Sequence, residues 1–155
     1  FLNAKRMPMR IHEDIAVFYR ALPTFNPQMR QGFPSHSRGH KHGKPKGNAC
    51  YGSYNIETYS KEMTTEKYPI SVLQFDKEKK LDMHPTQKPV ALIQYLIRTY
   101  SNEGDTILDN CMGSGTTAIA AIREKRNFIG FELNKEYYDK ACRRIKLEQA
   151  QLSLF

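Results

Sequence analysis

The most informative part of the 155-residue chain is residues 106–132, which read TILDNCMGSGTTAIAAIREKRNFIGFE. The first four of these residues favour a strand that ends at Asp109, and a turn containing Gly113 and Gly115 leads from there into an alanine-rich segment. A second strand is predicted over residues 128–132. A strand, a glycine-rich turn, a helix and a second strand in this order are typical of an α/β domain.

The turn has the composition of a nucleotide-type binding site. Glycine lets the backbone turn sharply and lets a ligand approach it, and the N-terminus of the following helix attracts an anionic group. Glu132, at the end of the next predicted strand, is placed to accept hydrogen bonds from both hydroxyls of a ribose. Because no lysine followed by serine or threonine closes the turn, an adenosine ligand without phosphates is favoured over a nucleoside triphosphate. A tight turn without a ligand, with Glu132 as a solvated strand end, is the alternative on these residues alone.

Helices are predicted on both sides of this unit. Apolar residues recur at three- and four-residue spacing after Pro89, at Val90, Ile93, Leu96, Ile97 and Tyr100. Asn134 is predicted to cap the last helix, whose inner face would carry Tyr138, Ala141, Ile145 and Leu147. Two further strands are predicted from their β-favouring composition, over residues 15–19 and 70–75.

The charge of the chain points to a polyanionic partner. The formal net charge is +8 at pH 7 and the pI is near 9.4, a surplus of cations that suggests nucleic acid. No carboxylate lies between Asp14 and Glu57, whereas that stretch contains Arg20, Arg30, Arg38, Lys41, Lys44 and Lys46. A solvated basic loop without a partner is the alternative interpretation.

Other features of the sequence argue against a membrane protein, a disulfide-linked protein and a metalloprotein. No apolar run approaches the roughly 18 residues needed to span a membrane. The three cysteines have no paired spacing and are interpreted as reduced thiols of a cytosolic protein. His36, His40, His42 and Cys50 match the spacing of no standard zinc finger, so no metal is expected.

Three motifs give the chain a family resemblance. They are HPTQKP at residues 84–89, DNCMGSGTT at 109–117 and FIGFEL at 128–133. In this order and spacing they resemble bacterial and phage DNA amino-methyltransferases of the β arrangement, in which the catalytic motif comes first, target recognition second and the cofactor-binding half last. The resemblance implies an α/β, Rossmann-like S-adenosylmethionine-dependent methyltransferase fold that is incomplete and carries an irregular target-recognition insertion.

The same resemblance divides the chain into three regions. Residues 1–33 would end the catalytic half, residues 34–83 would be the target-recognition region, and residues 84–155 would be the cofactor-binding half. In the middle region, the resemblance and the charge together place Arg38, Lys41, Lys44 and Lys46 on DNA. A disordered linker is the alternative for this region.

Residue by residue, the resemblance implies a site for S-adenosylmethionine. Asp109 and the turn would hold the methionine and adenosine parts, Glu132 would bind the ribose, and the stretch that begins at Thr86 would line the methionine side. Lys88 is expected to fix a loop carbonyl or a carboxylate, and His84 to be a hydrogen-bonding residue rather than a catalyst. The expected cofactor-binding residues are Thr86, Gln87, Lys88, Pro89, Asp109, Met112, Gly113, Ser114, Gly115, Thr116, Thr117 and Glu132.

The catalytic motif of the family has no counterpart in these 155 residues. The family holds the target amine in an Asp/Asn/Ser-Pro-Pro-Tyr/Phe motif, and none of the eight prolines here is followed by another. Asn26-Pro27 and Leu22-Pro23 are the nearest candidates, and neither continues as Pro-Tyr. By the family order the motif would lie N-terminal to Phe1. No catalytic residue is therefore assigned, and the chain is not expected to methylate DNA unaided.

The expected function is that of a site-specific DNA methyltransferase of a restriction-modification or phage system, acting on a flipped base and most consistent with adenine N6. The first alternative is a split or truncated subunit that binds S-adenosylmethionine and DNA without independent activity. The second is a basic nucleic-acid-binding protein whose glycine turn is only structural. The expected partners are double-stranded DNA and an N-terminal catalytic segment or partner subunit. A homodimer is a further alternative, and no membrane partner is expected.

Overall fold

A computed structural model describes residues 12–35, 64–76 and 87–152 of the chain. In chain order, the strands and helices of this described part are β1 (Arg30–Ser35), β2 (Thr64–Lys67), α1 (Val90–Tyr100), β3 (Thr106–Asp109), α2 (Thr116–Arg123), β4 (Asn127–Gly130) and α3 (Lys135–Leu152). Strands β1 and β2 form one two-stranded sheet, and β3 and β4 form another. None of the helices in the described residues is long and apolar enough to cross a membrane.

The β3–α2–β4 unit is the strand–turn–helix–strand unit that the sequence predicts, and its two strands pair in parallel. The register runs from Thr106 opposite Asn127 to Asp109 opposite Gly130. Helix α2 connects the two strands, as a parallel pair requires, and buries Ile119 and its neighbouring alanines against them. The prediction for the second strand is wrong by a few residues, because β4 ends at Gly130 and does not reach Glu132. The pairing of β4 with β3 ends at the same point, with Asp109 opposite Gly130.

Helix α1 packs against α2 and completes the core. The helix predicted after Pro89 is confirmed, with Val90 and Ile97 buried in one cluster with Ile119, Ala120 and Ala121. Tyr100, which was predicted for the same inner face, is 38% exposed at the last position of the helix. At the surface, Gln94 Nε2 donates to Glu124 Oε1 at 2.6 Å, and this bond ties the outer sides of the two helices together.

Helix α3 begins with the predicted cap. The side-chain oxygen of Asn134 accepts hydrogen bonds from the amides of Glu136 at 2.9 Å and Tyr137 at 3.2 Å. Ala141 is buried and Ile145 packs against the core, as predicted. Leu147 does not belong to the inner face, because it is 67% exposed and lies about 200° around the helix from Ile145. Tyr138, at 50% exposure, lies at the margin of the buried stripe.

The β3–β4 sheet is covered on one face within the described residues. Ile107 and Phe128 pack toward the core, whereas the paired residues Leu108 and Ile129 are 65% and 50% exposed. Alternate side chains of a strand point to opposite faces, so the second pair lies on the uncovered face. Parallel sheets are normally covered on both faces. The described part is therefore an incomplete Rossmann-like layer.

The two strands predicted upstream, residues 15–19 and 70–75, do not form. Both stretches lack regular structure, and Phe18 is 91% exposed. These predictions are wrong because a β-favouring composition produces a strand only where a neighbouring strand accepts its hydrogen bonds. The neighbouring antiparallel pair is instead β1 with β2, in which Arg30 lies opposite Lys67 and Gln31 opposite Glu66.

Asn26 attaches the upstream segment to the end of α1. Its amide donates to Thr99 O at 2.7 Å, and its side-chain nitrogen donates to Arg98 O at 3.1 Å and Ser101 O at 3.0 Å. These carbonyls belong to the last turn of a helix, where intrahelical donors run out. The Asn26-Pro27 pair, one of the two nearest sequence candidates for the catalytic motif, therefore has a structural role here.

Candidate cofactor-binding site

The turn between β3 and α2 depends on two glycines. Gly113 and Gly115 have φ values of +55° and +78°, in the left-handed region that favours glycine. A Cβ on Gly115 would also lie 3.1 Å from the Cβ of Ala141 on α3. The turn is closed by the amide of Gly115, which donates to Met112 O at 3.0 Å. Glycine at position 115 thus meets both a backbone requirement and a close approach to α3.

Asp109 connects the two ends of this turn. Its Oδ1 accepts from the amide of Cys111 at 3.0 Å, and its Oδ2 accepts from the hydroxyl of Thr117 at 2.5 Å. One carboxylate at the end of β3 therefore holds both the start of the turn and the first turn of α2. Thr117, one of the expected cofactor-binding residues, contacts Asp109 in this structure.

Glu132 lies across the turn from Asp109 and is held by backbone amides. Its Oε2 accepts from the amide of Gly113 and its Oε1 from the amide of Asn134, both at 2.8 Å. A carboxylate oxygen can accept two hydrogen bonds, so these contacts are compatible with additional bonds to ribose hydroxyls. The two amides orient the carboxylate two residues beyond the end of β4.

Two pockets adjoin the turn. The first, of about 160 Å³, lies between β4 and α3 and is lined by Met112, Phe128, Gly130, Phe131, Glu132, Tyr138, Ala141, Cys142 and Ile145. The second, of about 320 Å³, lies between α1 and β3 and has Asp109 and Thr117 at its polar end. Both pockets are mainly apolar with a carboxylate at one end. This combination suits a ligand that has an apolar ring and a polar sugar or amino-acid part.

The segment before α1 reaches the turn through Gln87. The hydroxyl of Ser114, which is buried, donates to Gln87 Oε1 at 3.2 Å. Pro89 lies at the N-terminal boundary of α1. Lys88 is directed to Glu13, with 2.6 Å between Nζ and Oε2, which is a carboxylate contact of the kind predicted for it.

Several predicted site residues lie outside the described part of the chain. They are Thr86 and His84, the DNA-contacting candidates Arg38, Lys41, Lys44 and Lys46, and the zinc candidates His36, His40, His42 and Cys50. Within residues 12–35, 64–76 and 87–152, no group of three or more metal-ligating side chains is brought together.

Arg144 is a site residue that sequence reasoning missed. From α3, its Nη1 donates to Ser114 O at 3.2 Å and to Thr116 Oγ1 at 3.3 Å. No motif marks this arginine. The available signal is its position on the inner side of α3, three residues after Ala141 and one before Ile145, where a solvent-facing cation is not expected.

Comparison with known proteins identifies relatives that are named methyltransferases. The chain is 43% identical over 84 residues to the DNA adenine methyltransferase YhdJ of Escherichia coli (strain K12), a match that covers 52% of this chain and 29% of that protein. It is 53% identical over 58 residues to the type II methyltransferase M1.MboII of Moraxella bovis, covering 37% of this chain and 22% of that protein. The matches thus span less than a third of the length of these curated relatives.

A solved structure and a family model were also matched. The structure of an M1.HpyAVI–SAM complex aligns with a TM-score of 0.43 at 36% identity, covering 59% of this chain and 43% of that chain. The model of the family described as DNA methylase matches residues 2–143. The family predicted from the three sequence motifs is thereby confirmed. Because the match spans most of the 155 residues, the chain belongs to the DNA methylase family.

Proposed function

We propose that the β3–α2 turn binds S-adenosylmethionine and that the chain is the cofactor-binding part of a DNA methyltransferase that modifies a base amino group, with adenine N6 favoured. The observation that carries this proposal is the Glu132 carboxylate, held by the amides of Gly113 and Asn134 beside an apolar pocket. Family membership supports it, as do a relative named a DNA adenine methyltransferase and a solved relative described as a SAM complex.

The residues around the turn fit the parts of this cofactor. The ribose hydroxyls would donate to Glu132, and the adenine ring would enter the adjoining apolar pocket beside Phe131. The methionine carboxylate would face the N-terminus of α2, where the first helical amides precede the first intrahelical bond, from Ile119 N to Gly115 O. The turn itself contains no lysine or arginine, which agrees with a ligand that carries no phosphate.

When bound, the cofactor would supply an activated methyl group. The protein would then have to bind the cofactor and orient the reacting groups. Asp109 would keep the turn and α2 in register through Cys111 and Thr117, and Gln87 would position Ser114. Orientation of a target amine requires residues of another kind, and the family motif that supplies them has no match among the 155 residues. A cofactor- and DNA-binding subunit that needs a second chain for transfer is therefore the second candidate function.

DNA is the proposed partner. The stretch without carboxylates between Asp14 and Glu57 concentrates cations that would neutralise phosphates, and the relatives in the comparison are named methyltransferases of DNA or of type II systems. Within this stretch we propose that Arg38, Lys41, Lys44 and Lys46 contact DNA. The same names support a role in restriction-modification.

The cofactor proposal is tested by calorimetric titration of S-adenosylmethionine into the purified chain and into Glu132→Gln. The glutamine keeps one acceptor for the amide of Gly113 but lacks the charge. Because a hydrogen bond to a charged group is worth about 1.5–3 kcal/mol, we expect affinity to fall about 10- to 150-fold. Glu136→Gln is the matched control, since Glu136 is an exposed residue that pairs with Lys140 on α3.

Two results would contradict the proposal. The first is a folded wild-type chain that takes up no S-adenosylmethionine. The second is a Glu132→Gln chain that binds as tightly as the Glu136→Gln control, because the carboxylate would then have no role in binding.

A further inference from the structure

The guanidinium of Arg144, on α3, contacts the turn that is proposed to bind the cofactor. Arg144 lies on α3, partly buried, and its Nη1 donates both to Ser114 O at 3.2 Å and to Thr116 Oγ1 at 3.3 Å. The carbonyl belongs to the turn and the hydroxyl to the first residue of α2. A single side chain thus links the third helix to both parts of the site.

The contact with Ser114 fixes the orientation of one peptide plane. The carbonyl oxygen of that plane accepts from Arg144, and its N–H, on Gly115, donates to Met112 O at 3.0 Å. In a trans peptide these two groups point in opposite directions, so the two bonds hold the plane at both ends. This plane joins Ser114 to Gly115, so its rotation changes ψ of Ser114 and φ of Gly115, and glycine restricts its own φ less than any other residue type. The two hydrogen bonds therefore oppose a rotation that the backbone of Gly115 would otherwise permit.

A carboxylate on α3 lies near the guanidinium of Arg144. Glu148 lies one helical turn beyond Arg144, a spacing at which two side chains are neighbours on the helix surface. The pKa of the Glu148 carboxyl is lowered mainly by its hydrogen bond with Arg123, and the charges of Arg123 and Arg144 add to this effect. Arg144 therefore contacts the turn and also contributes to the charge environment of a carboxylate on its own helix. Arg143, the preceding residue, is exposed.

We propose that Arg144 is a positioning residue for the cofactor, acting through the backbone of the turn and not by touching the ligand. This inference rests on the proposed cofactor function. Its mechanism is to hold the 114–115 peptide so that Gly113 remains available to Glu132 and α2 keeps its amides directed to the ligand. Loss of the guanidinium weakens cofactor binding, although the guanidinium itself does not contact the ligand.

The test compares calorimetric affinity for S-adenosylmethionine with thermal unfolding in the full chain and three arginine variants. Arg144→Met is expected to bind the cofactor about tenfold more weakly, because two hydrogen bonds from a charged donor are lost. Arg143→Met, at the exposed neighbour, is expected to bind as the wild type does. Arg123→Met removes the bonds to Glu148 at 2.6 and 2.9 Å, which join α2 to α3 away from the turn. It is expected to lower the melting temperature and leave the affinity unchanged.

Conservative replacement supplies a second variant that tests the same mechanism. Arg144→Lys keeps the charge but its ammonium is expected to retain one of the two bonds, so affinity should fall about threefold. If Arg144→Met does not fold, Arg144→Lys decides the matter, and wild-type affinity in that variant would overturn the inference. If Arg144→Met folds and binds as the wild type does, the inference fails while the cofactor proposal stands. A folded wild-type chain that takes up no cofactor overturns the proposed function, and the inference with it.

Discussion

Alanine substitutions at Gly104 and Gly115 can separate the cost of backbone strain from the cost of steric crowding, because both glycines have left-handed backbones. Gly104 has a φ of +85° and Gly115 a φ of +78°, so alanine meets nearly the same backbone penalty at both positions. They differ in the space around them. A Cβ on Gly104 would have nothing within 4 Å, whereas a Cβ on Gly115 would lie 3.1 Å from the Cβ of Ala141. Gly104→Ala is therefore a matched control for Gly115→Ala.

The expected magnitudes follow from these contacts. A left-handed backbone costs a non-glycine residue about 1–2 kcal/mol, which is the whole effect expected on the free energy of unfolding for Gly104→Ala. The crowding at Gly115 adds about 1–2 kcal/mol, because an extra methyl in a packed site forces its neighbours to shift. Gly115→Ala is thus expected to lower the free energy of unfolding by about 2–4 kcal/mol. In a chain of this size, each 1 kcal/mol corresponds to about 2–4 °C in melting temperature.

The assay is urea denaturation of both alanine variants, followed by a double-mutant cycle with Ala141→Gly. Removing the Cβ of Ala141 takes away the contact, so the cycle is expected to show a coupling of about 1 kcal/mol or more. Cofactor affinity should fall in Gly115→Ala and not in Gly104→Ala. Equal destabilisation by the two alanines, or strict additivity in the cycle, would refute the reasoning.

Two further predictions concern acid stability and catalysis. The pKa of the Glu148 carboxyl is lowered below its ordinary value of 4.5, mainly by its hydrogen bond with Arg123. The ionised carboxylate therefore stabilises the folded chain above pH 4.5, and this stabilisation is lost as the pH falls through the lower pKa of the folded state. Arg123→Met should therefore cost about 1 kcal/mol in urea denaturation at pH 7, and the difference from wild type should shrink below pH 4.5; an equal difference at pH 3 would contradict this. In a methyl-transfer assay with labelled S-adenosylmethionine and duplex DNA, the purified chain is expected to give no incorporation, since no adjacent proline pair is present to begin the family's catalytic motif. Clear transfer by the 155 residues alone would refute that expectation.

Local patterns allowed much of the region from α1 to α3 to be predicted from sequence. The repeat of apolar residues gives α1, and Asn134 caps α3 through bonds to residues two and three positions away. Gly113, Gly115 and Glu132 belong to one short segment, so their proximity follows from a single strand–helix–strand unit. Such features depend on neighbours in sequence, which is why a sequence alone can reveal them.

Features that depend on distant residues could not be predicted in this way. Asn26 bonds to a carbonyl 72 residues away, and Arg144 to one 30 residues away, and neither contact is marked by spacing or composition. The strands expected at residues 15–19 and 70–75 failed for the same reason, because strand formation depends on a partner that composition does not specify. The β1–β2 pairing was missed because its residues, such as Gln31 opposite Glu66, carry no alternating apolar pattern.

The candidate site is formed by residues that are close together in sequence, so cofactor binding and methyl transfer can be considered separately. Asp109 and Glu132 are each held by two donors from within residues 111–134, so the proposed cofactor site is formed by one compact unit, with further contacts from Gln87 and Arg144. Methyl transfer makes a different demand, because the amine must be oriented toward the methyl group and its developing positive charge stabilised. If the chain is the cofactor-binding part of the enzyme, it is expected to bind S-adenosylmethionine without transferring the methyl group. Binding with transfer would require an amine-orienting group among the 155 residues that differs from the family motif. A folded chain that binds DNA but no cofactor would favour the remaining alternative, in which the glycine turn only shapes the fold.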